Sequence, residues 1–164
     1  MSFGELILNV LSFLMLIVLA WFSFTIVNIA VTIFKCRKRD DSLKFCFNRT
    51  GKIVYSLFTV VFIAVYIGGI VAIVYGFNND SITAYRIAVN VMGLVTLLYS
   101  LTLSNIILIG KKELMIGRML IDYRKMKKVS FTLDDKVNFV FAQKEYTFST
   151  FFADSTEIKK AIKK

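Results

Sequence analysis

The sequence predicts an integral membrane protein: three transmembrane α-helices followed by a small cytoplasmic α+β module of about four antiparallel strands plus a C-terminal helix. Three observations predict it. Leu6–Phe34, Ile53–Phe77 and Ile87–Ile109 carry no charge, and each exceeds the roughly 20 residues that cross a ~30 Å hydrocarbon core as a helix. The basic residues between these runs fall on one side. After Gly110 the apolar residues alternate instead of running together. The predicted division is a membrane domain over 1–110, with spans of about 6–34, 53–77 and 87–109, and a module over 111–164.

Charge placement sets the orientation. The first connection carries Lys35, Arg37, Lys38, Arg39, Lys44, Arg49 and Lys52 against Asp40 and Asp41. The second carries Arg86 against Asp80, and the tail after Ile109 carries thirteen Lys and Arg against seven acids. Short cytoplasmic loops collect Lys and Arg. Three spans alternate, so the first loop and the tail are expected in the cytoplasm, with the N-terminus and second loop outside a cell membrane. The first run lacks a basic leader and outruns the 7–15 apolar residues of a signal peptide. It reads as a spanning helix.

Within the spans the polar and small residues predict packing. Asn28 is the costliest residue of the first run in lipid and should face another helix. Gly68, Ala72 and Gly76 recur every four residues, the small-xxx-small pattern that lets backbones approach. This face suits packing within the chain or a homo-oligomer. Asn90, Gly93, Leu97, Ser100 and Ser104 form one stripe on the third run. Interhelical hydrogen bonding explains that stripe better than a transport path, because no span holds an ionisable residue. Asp80 or Ser81 is expected to cap the third helix.

The tail changes period. Glu113–Gly117 and Met119–Thr132 read as strands, and Lys136–Ala142 alternates with Val137, Phe139 and Phe141 on one face. Leu133-Asp-Asp-Lys136 and Gln143-Lys-Glu145 read as turns. Tyr146 and Phe148 share a face of the next strand. Asp154 or Ser155 can cap a final helix that presents Ile158, Ala161 and Ile162 on one side and ends in Lys159, Lys160, Lys163 and Lys164.

The succession Leu114–Gly117, Ile121–Met126 leading to Val129-Ser-Phe131, the Phe139–Phe148 hairpin and the Glu157–Lys164 helix resembles the small bacterial PH-like domains of unknown function that follow transmembrane helices. The resemblance covers the last third of the chain. It implies a binding or scaffold module without catalysis.

The residues themselves point the same way. The chain has no His and no P-loop, GxSxG or HExxH motif. Cys36 and Cys46 have no zinc spacing. No cofactor or metal is expected, and no enzyme. The remaining signal is basic: Lys35, Arg37, Lys38 and Arg39 below the first span, and Arg124, Lys125, Lys127 and Lys128 in the tail. Either cluster suits anionic lipid or an acidic partner, and the aromatics are not interleaved as a nucleic-acid stacking platform. The expected function is a non-enzymatic membrane anchor or accessory protein that recruits or regulates a protein partner at the cytoplasmic face. Two alternatives stay open: a membrane-embedded immunity protein against a pore-forming bacteriocin or toxin, and a small subunit of a transporter complex.

Overall fold

The computed structural model describes residues 3–79, 81–132 and 135–162. Three long helices come first: α1 (Phe3–Arg39), α2 (Arg49–Asn78) and α3 (Ile82–Ser104). All three are long and apolar enough to cross a membrane, with mean hydropathy of 2.5, 2.7 and 1.8 in their most apolar windows. Seven strands and a last helix follow or intervene: β1 (Lys44–Phe45), β2 (Ile107–Ile109), β3 (Glu113–Ile116), β4 (Met119–Asp122), β5 (Lys127–Thr132), β6 (Lys136–Phe141), β7 (Lys144–Ser149) and α4 (Ser155–Ile162). The chain divides into two compact units, Met1–Val27 with Ser56–Leu101, and Asn28–Tyr55 with Thr102–Lys164.

The first unit is helical. α3 is its most buried helix. Its contacts with α1 run in parallel: Arg86 donates to Asn9 Oδ1, and the Met15 carbonyl closes on Gly93. Its contacts with α2 run antiparallel. The Thr59 and Tyr99 hydroxyls lie 3.1 Å apart, Phe62 stacks on Tyr99 at 4.4 Å, and Gly69 receives Met92. Small and hydroxylic residues fill the interior, among them Ser12, Thr25, Ala88, Gly93 and Thr96. Thr25 and Thr96 return their hydroxyl protons to the carbonyls of Trp21 and Met92, one turn earlier. That is how a hydroxyl is satisfied inside an apolar bundle. The α2–α3 turn closes through Ser81 N–H to Gly76 O at 2.9 Å. Ser81 Oγ accepts from Ala84 N, which makes Ser81 the cap. Asp80, the other candidate, lies outside the described residues.

The second unit is a small antiparallel sheet domain with a C-terminal helix. One sheet has the order β1-β2-β3-β4 and the other β5-β6-β7, each antiparallel throughout. The centre of the first sheet, β2 and β3, is buried on both faces. Leu108, Met115 and Leu120 stand in register on one face, packed with Ile29, Cys36, Leu43 and Tyr55. Ile107, Leu114 and Ile121 face the other way, into a core with Phe139, Met126 and Ile158. This double burial explains a difference from the sequence expectation. Ile107–Ile109 belongs to a strand, not to the third helix, which stops at Ser104. A strand with two buried faces is apolar without alternation and reads like helix.

The alternation in β6 holds at its centre. Val137 and Phe139 are buried, and Phe139 stacks on Tyr146 at 5.6 Å and meets Phe148 edge-on at 5.8 Å. The β6–β7 turn is Ala142–Gln143, both at positive φ, one residue before the expected Gln143–Glu145. Two left-handed residues give the twist a two-residue hairpin needs. In the β5–β6 turn, Leu133 and Asp134 lie outside the described residues. Asp154 caps α4, accepting from Thr156 N at 2.9 Å and Glu157 N at 3.3 Å. Ile158 is the buried anchor of α4, while Lys163 and Lys164 lie outside the described residues.

Candidate functional site

Both predicted basic clusters fall in the second unit. Lys35, Arg37, Lys38 and Arg39 end α1, and every one is exposed. Cations there complement the negative end of the helix dipole. Arg39 pairs with Glu113 of β3, and the Arg37 guanidinium lies 5.7 Å from the Phe45 ring centre. Asp40 then turns the chain: its Oδ1 accepts from Ser42 N at 2.9 Å and Ser42 Oγ at 2.5 Å. Those two bonds hold its carboxyl below the usual carboxylate range.

The tail cluster forms a corner of the module. Asp122 caps a short 3-10 turn, Tyr123–Lys125, accepting from Arg124 N at 2.9 Å. The Tyr123 hydroxyl is tied to Gly110 O at 3.2 Å, and burial raises its pKa. With Tyr123 turned inward, Arg124 and Lys125 project, and Lys127 and Lys128 open β5; all four are exposed. Lys128 sits at φ 51° in a bulge between Lys127 and Ser130. None of the four forms a salt bridge among the described residues.

A cleft of about 830 Å³ lies between the turn after α1, the β2–β3 turn and α4. Lys44, Lys111 and Lys160 line it with Asp41, Glu157 and Ser42. Three cations and two acids share this cleft. Cys36 and Cys46 are free, buried thiols. Burial pushes the Cys46 thiol up to about 11, so it stays protonated and unreactive at neutral pH. No group of three or more His, Cys, Asp or Glu that could hold a metal ion occurs among the described residues.

No protein-family model, curated protein or solved structure matches the chain.

The helix-packing residues divide between the units. Asn28 lies in the second, half-buried, with its carbonyl accepting from Thr32 Oγ1 at 2.7 Å. Gly68, Ala72, Gly76, Asn90 and Gly93 lie in the first. Of the glycines on α2, Gly69 and Gly76 meet α3, whereas a Cβ on Gly68 would point into open space. Gly68 and Ala72 instead line a shallow groove of about 330 Å³ between α2 and α3. The Asn90 Oδ1 atom is buried without a hydrogen-bond partner among the described residues. Sequence reasoning missed Phe45 and Phe151, two exposed rings outside the long helices. No pattern in the sequence separates them from the buried aromatics around them.

Proposed function

We propose that this protein is a non-enzymatic membrane anchor whose second unit, with a PH-like scaffold role, recruits or regulates a protein partner at the cytoplasmic face of the cell membrane. In this reading α1, α2 and α3 span the bilayer with the N-terminus outside. Their outward surface of Leu, Ile, Val and Phe supports insertion, and the one-sided basic residues support the orientation.

The observation that carries the partner reading is the corner Arg124, Lys125, Lys127 and Lys128. It is a row of exposed cations without internal carboxylate partners among the described residues. It stands on a folded edge, so a partner meets little ordering cost. The partner such a row fits is an acidic protein segment.

Purification of the tagged full chain in mild detergent, after crosslinking in cells, tests this. A co-purifying polypeptide is expected from the wild type and not from the Arg124→Glu/Lys125→Glu/Lys127→Glu variant. A polypeptide retained by that variant, or none from the wild type, would sink the reading. The native cysteines are buried, so topology is better read from cysteines introduced at exposed Asn79 and Lys144. An impermeant maleimide on intact cells should label Asn79→Cys and spare Lys144→Cys.

A further inference from the structure

Outside the three long helices, two large apolar side chains stand exposed among the described residues: Phe45 at 42% and Phe151 at 60%. Both lie in the second unit, and a continuous line of rings joins them. Phe45 stacks on Phe47 at 5.5 Å, Phe47 on Tyr55 at 4.5 Å, Tyr55 meets Phe152 at 6.1 Å, and Phe152 meets Phe151 at 4.9 Å. Arg37 lies over the Phe45 end of this line.

The Phe151 end is tied to the first turn of α2. Asn48 donates through Nδ2 to Phe151 O at 2.8 Å and through its backbone N–H to Phe152 O at 3.2 Å. Its Oδ1 caps α2 by accepting from Gly51 N at 2.6 Å. A Cβ at residue 51 would fall 2.0 Å from Phe152 O, so the approach requires glycine. That same first turn carries Arg49 and Lys52 and no acid.

Cations at a helix N-terminus oppose the dipole. Arg37, Arg49 and Lys52 make no salt bridge among the described residues. The helix dipole therefore does not account for the sign of Arg49 and Lys52 at the start of α2, and folding does not account for two exposed rings. An anionic bilayer surface accounts for both: exposed phenylalanine rings bury into the headgroup–acyl boundary and cations favour the phosphates. The patch is also continuous with apolar helix surface, because exposed Phe34 precedes Arg37 on α1 and exposed Ile53 follows Lys52 on α2.

We propose that Phe45 and Phe151, with Arg37, Arg49 and Lys52, form an interfacial anchor for anionic phospholipid. It rests on the reading that α1 and α2 span the membrane, and it assigns this patch to lipid where the Arg124–Lys128 corner goes to protein.

The test uses the full chain carrying Trp21→Phe and Phe151→Trp. The protein is reconstituted in phosphatidylcholine vesicles with or without phosphatidylglycerol, each containing a lipid brominated near the headgroup. Emission at position 151 should shift to the blue and be quenched about twofold more strongly with phosphatidylglycerol. Adding Arg37→Gln, Arg49→Gln and Lys52→Gln should return it to the phosphatidylcholine value. Phe45→Trp in the same Trp21→Phe background is a second reporter with the same expectation. A chain that floats with the vesicles while both reporters are unquenched, or quenched equally in the two lipids, overturns the anchor and leaves the spanning reading standing. A chain that does not float overturns both.

Discussion

The two units bury different chemistry: hydroxyls beside Val89, Met92 and Tyr99 in the first, and almost only apolar side chains in the second. The first hides Ser12, Thr25, Thr96 and Ser100 and turns Phe13, Trp21, Phe24 and Ile67 outward. The second hides Leu108, Leu114, Ile121 and Phe139 and turns Lys and Arg outward. A side chain is interior only with respect to a solvent. Water drives apolar area inward at roughly 25 cal/mol per Å². Hydrocarbon supplies no such drive, so helices meet through small residues and hydroxyls. If the first unit is inserted as proposed, one chain follows two rules, and the change of rule falls within α1, α2 and α3, which contribute residues to both units.

A matched pair of truncations separates the two units most strongly. Phe139→Ala, in the core of the second unit, should cost about 3–5 kcal/mol. Phe13→Ala, at 63% exposure in the first, should change stability by no more than about 0.5 kcal/mol. Thermal unfolding of the full chain in detergent reads both, and equal losses would end the distinction.

A glycine pair follows. Gly117 has φ +55° and a Cβ there would fall 2.4 Å from Ser104 O. Gly117→Ala should therefore cost about 2–4 kcal/mol from left-handed backbone and crowding. Gly68→Ala meets open space and should stabilise its helix by up to about 1 kcal/mol. Denaturation midpoints check both signs.

Alkaline titration sharpens the water-driven side. The Cys46 thiol is raised from 9.0 to about 11 by burial, so the unfolded chain releases its proton first. Stability from this group is level below about pH 9 and falls as the pH rises towards about 11. Cys46→Ala should flatten that portion of the curve, measured as unfolding midpoint against pH.

The smallest expected effect belongs to the first unit. Asn90 Oδ1 is buried without a partner among the described residues. Asn90→Leu should be neutral or stabilising within about 1 kcal/mol. A large loss would mean that this carbonyl holds a water or neighbour on which the bundle depends.

Much of this was legible. Unbroken apolar length located α1, α2 and most of α3, because a helix long and apolar enough to cross a membrane carries little other signal. Alternation located β6 and β7, and Asp154 marked the start of α4. The misses share a cause. β1 is two residues, Lys44 and Phe45, inside a charged loop, too short for any period to register. β2 lost its alternation to burial on both faces. The close contact of α2 with α3 went to Gly69 and Gly76, while Gly68 stands open, because helix rotation is set by the partner and not by spacing alone. Phe151 is exposed and Phe152 half-buried, although one residue type fills both positions.

Strand β1 has a further consequence. Lys44 and Phe45 pair with Ile109 and Leu108, residues that the ribosome adds only after α2 and α3 have been made. Until then the loop after α1 has no strand to pair with. A C-terminal fragment made separately is left with one bare edge on β2, which attracts other chains. The order of synthesis therefore makes the β1–β2 hydrogen bonds a record that α2 and α3, which lie between them in the chain, have already been built.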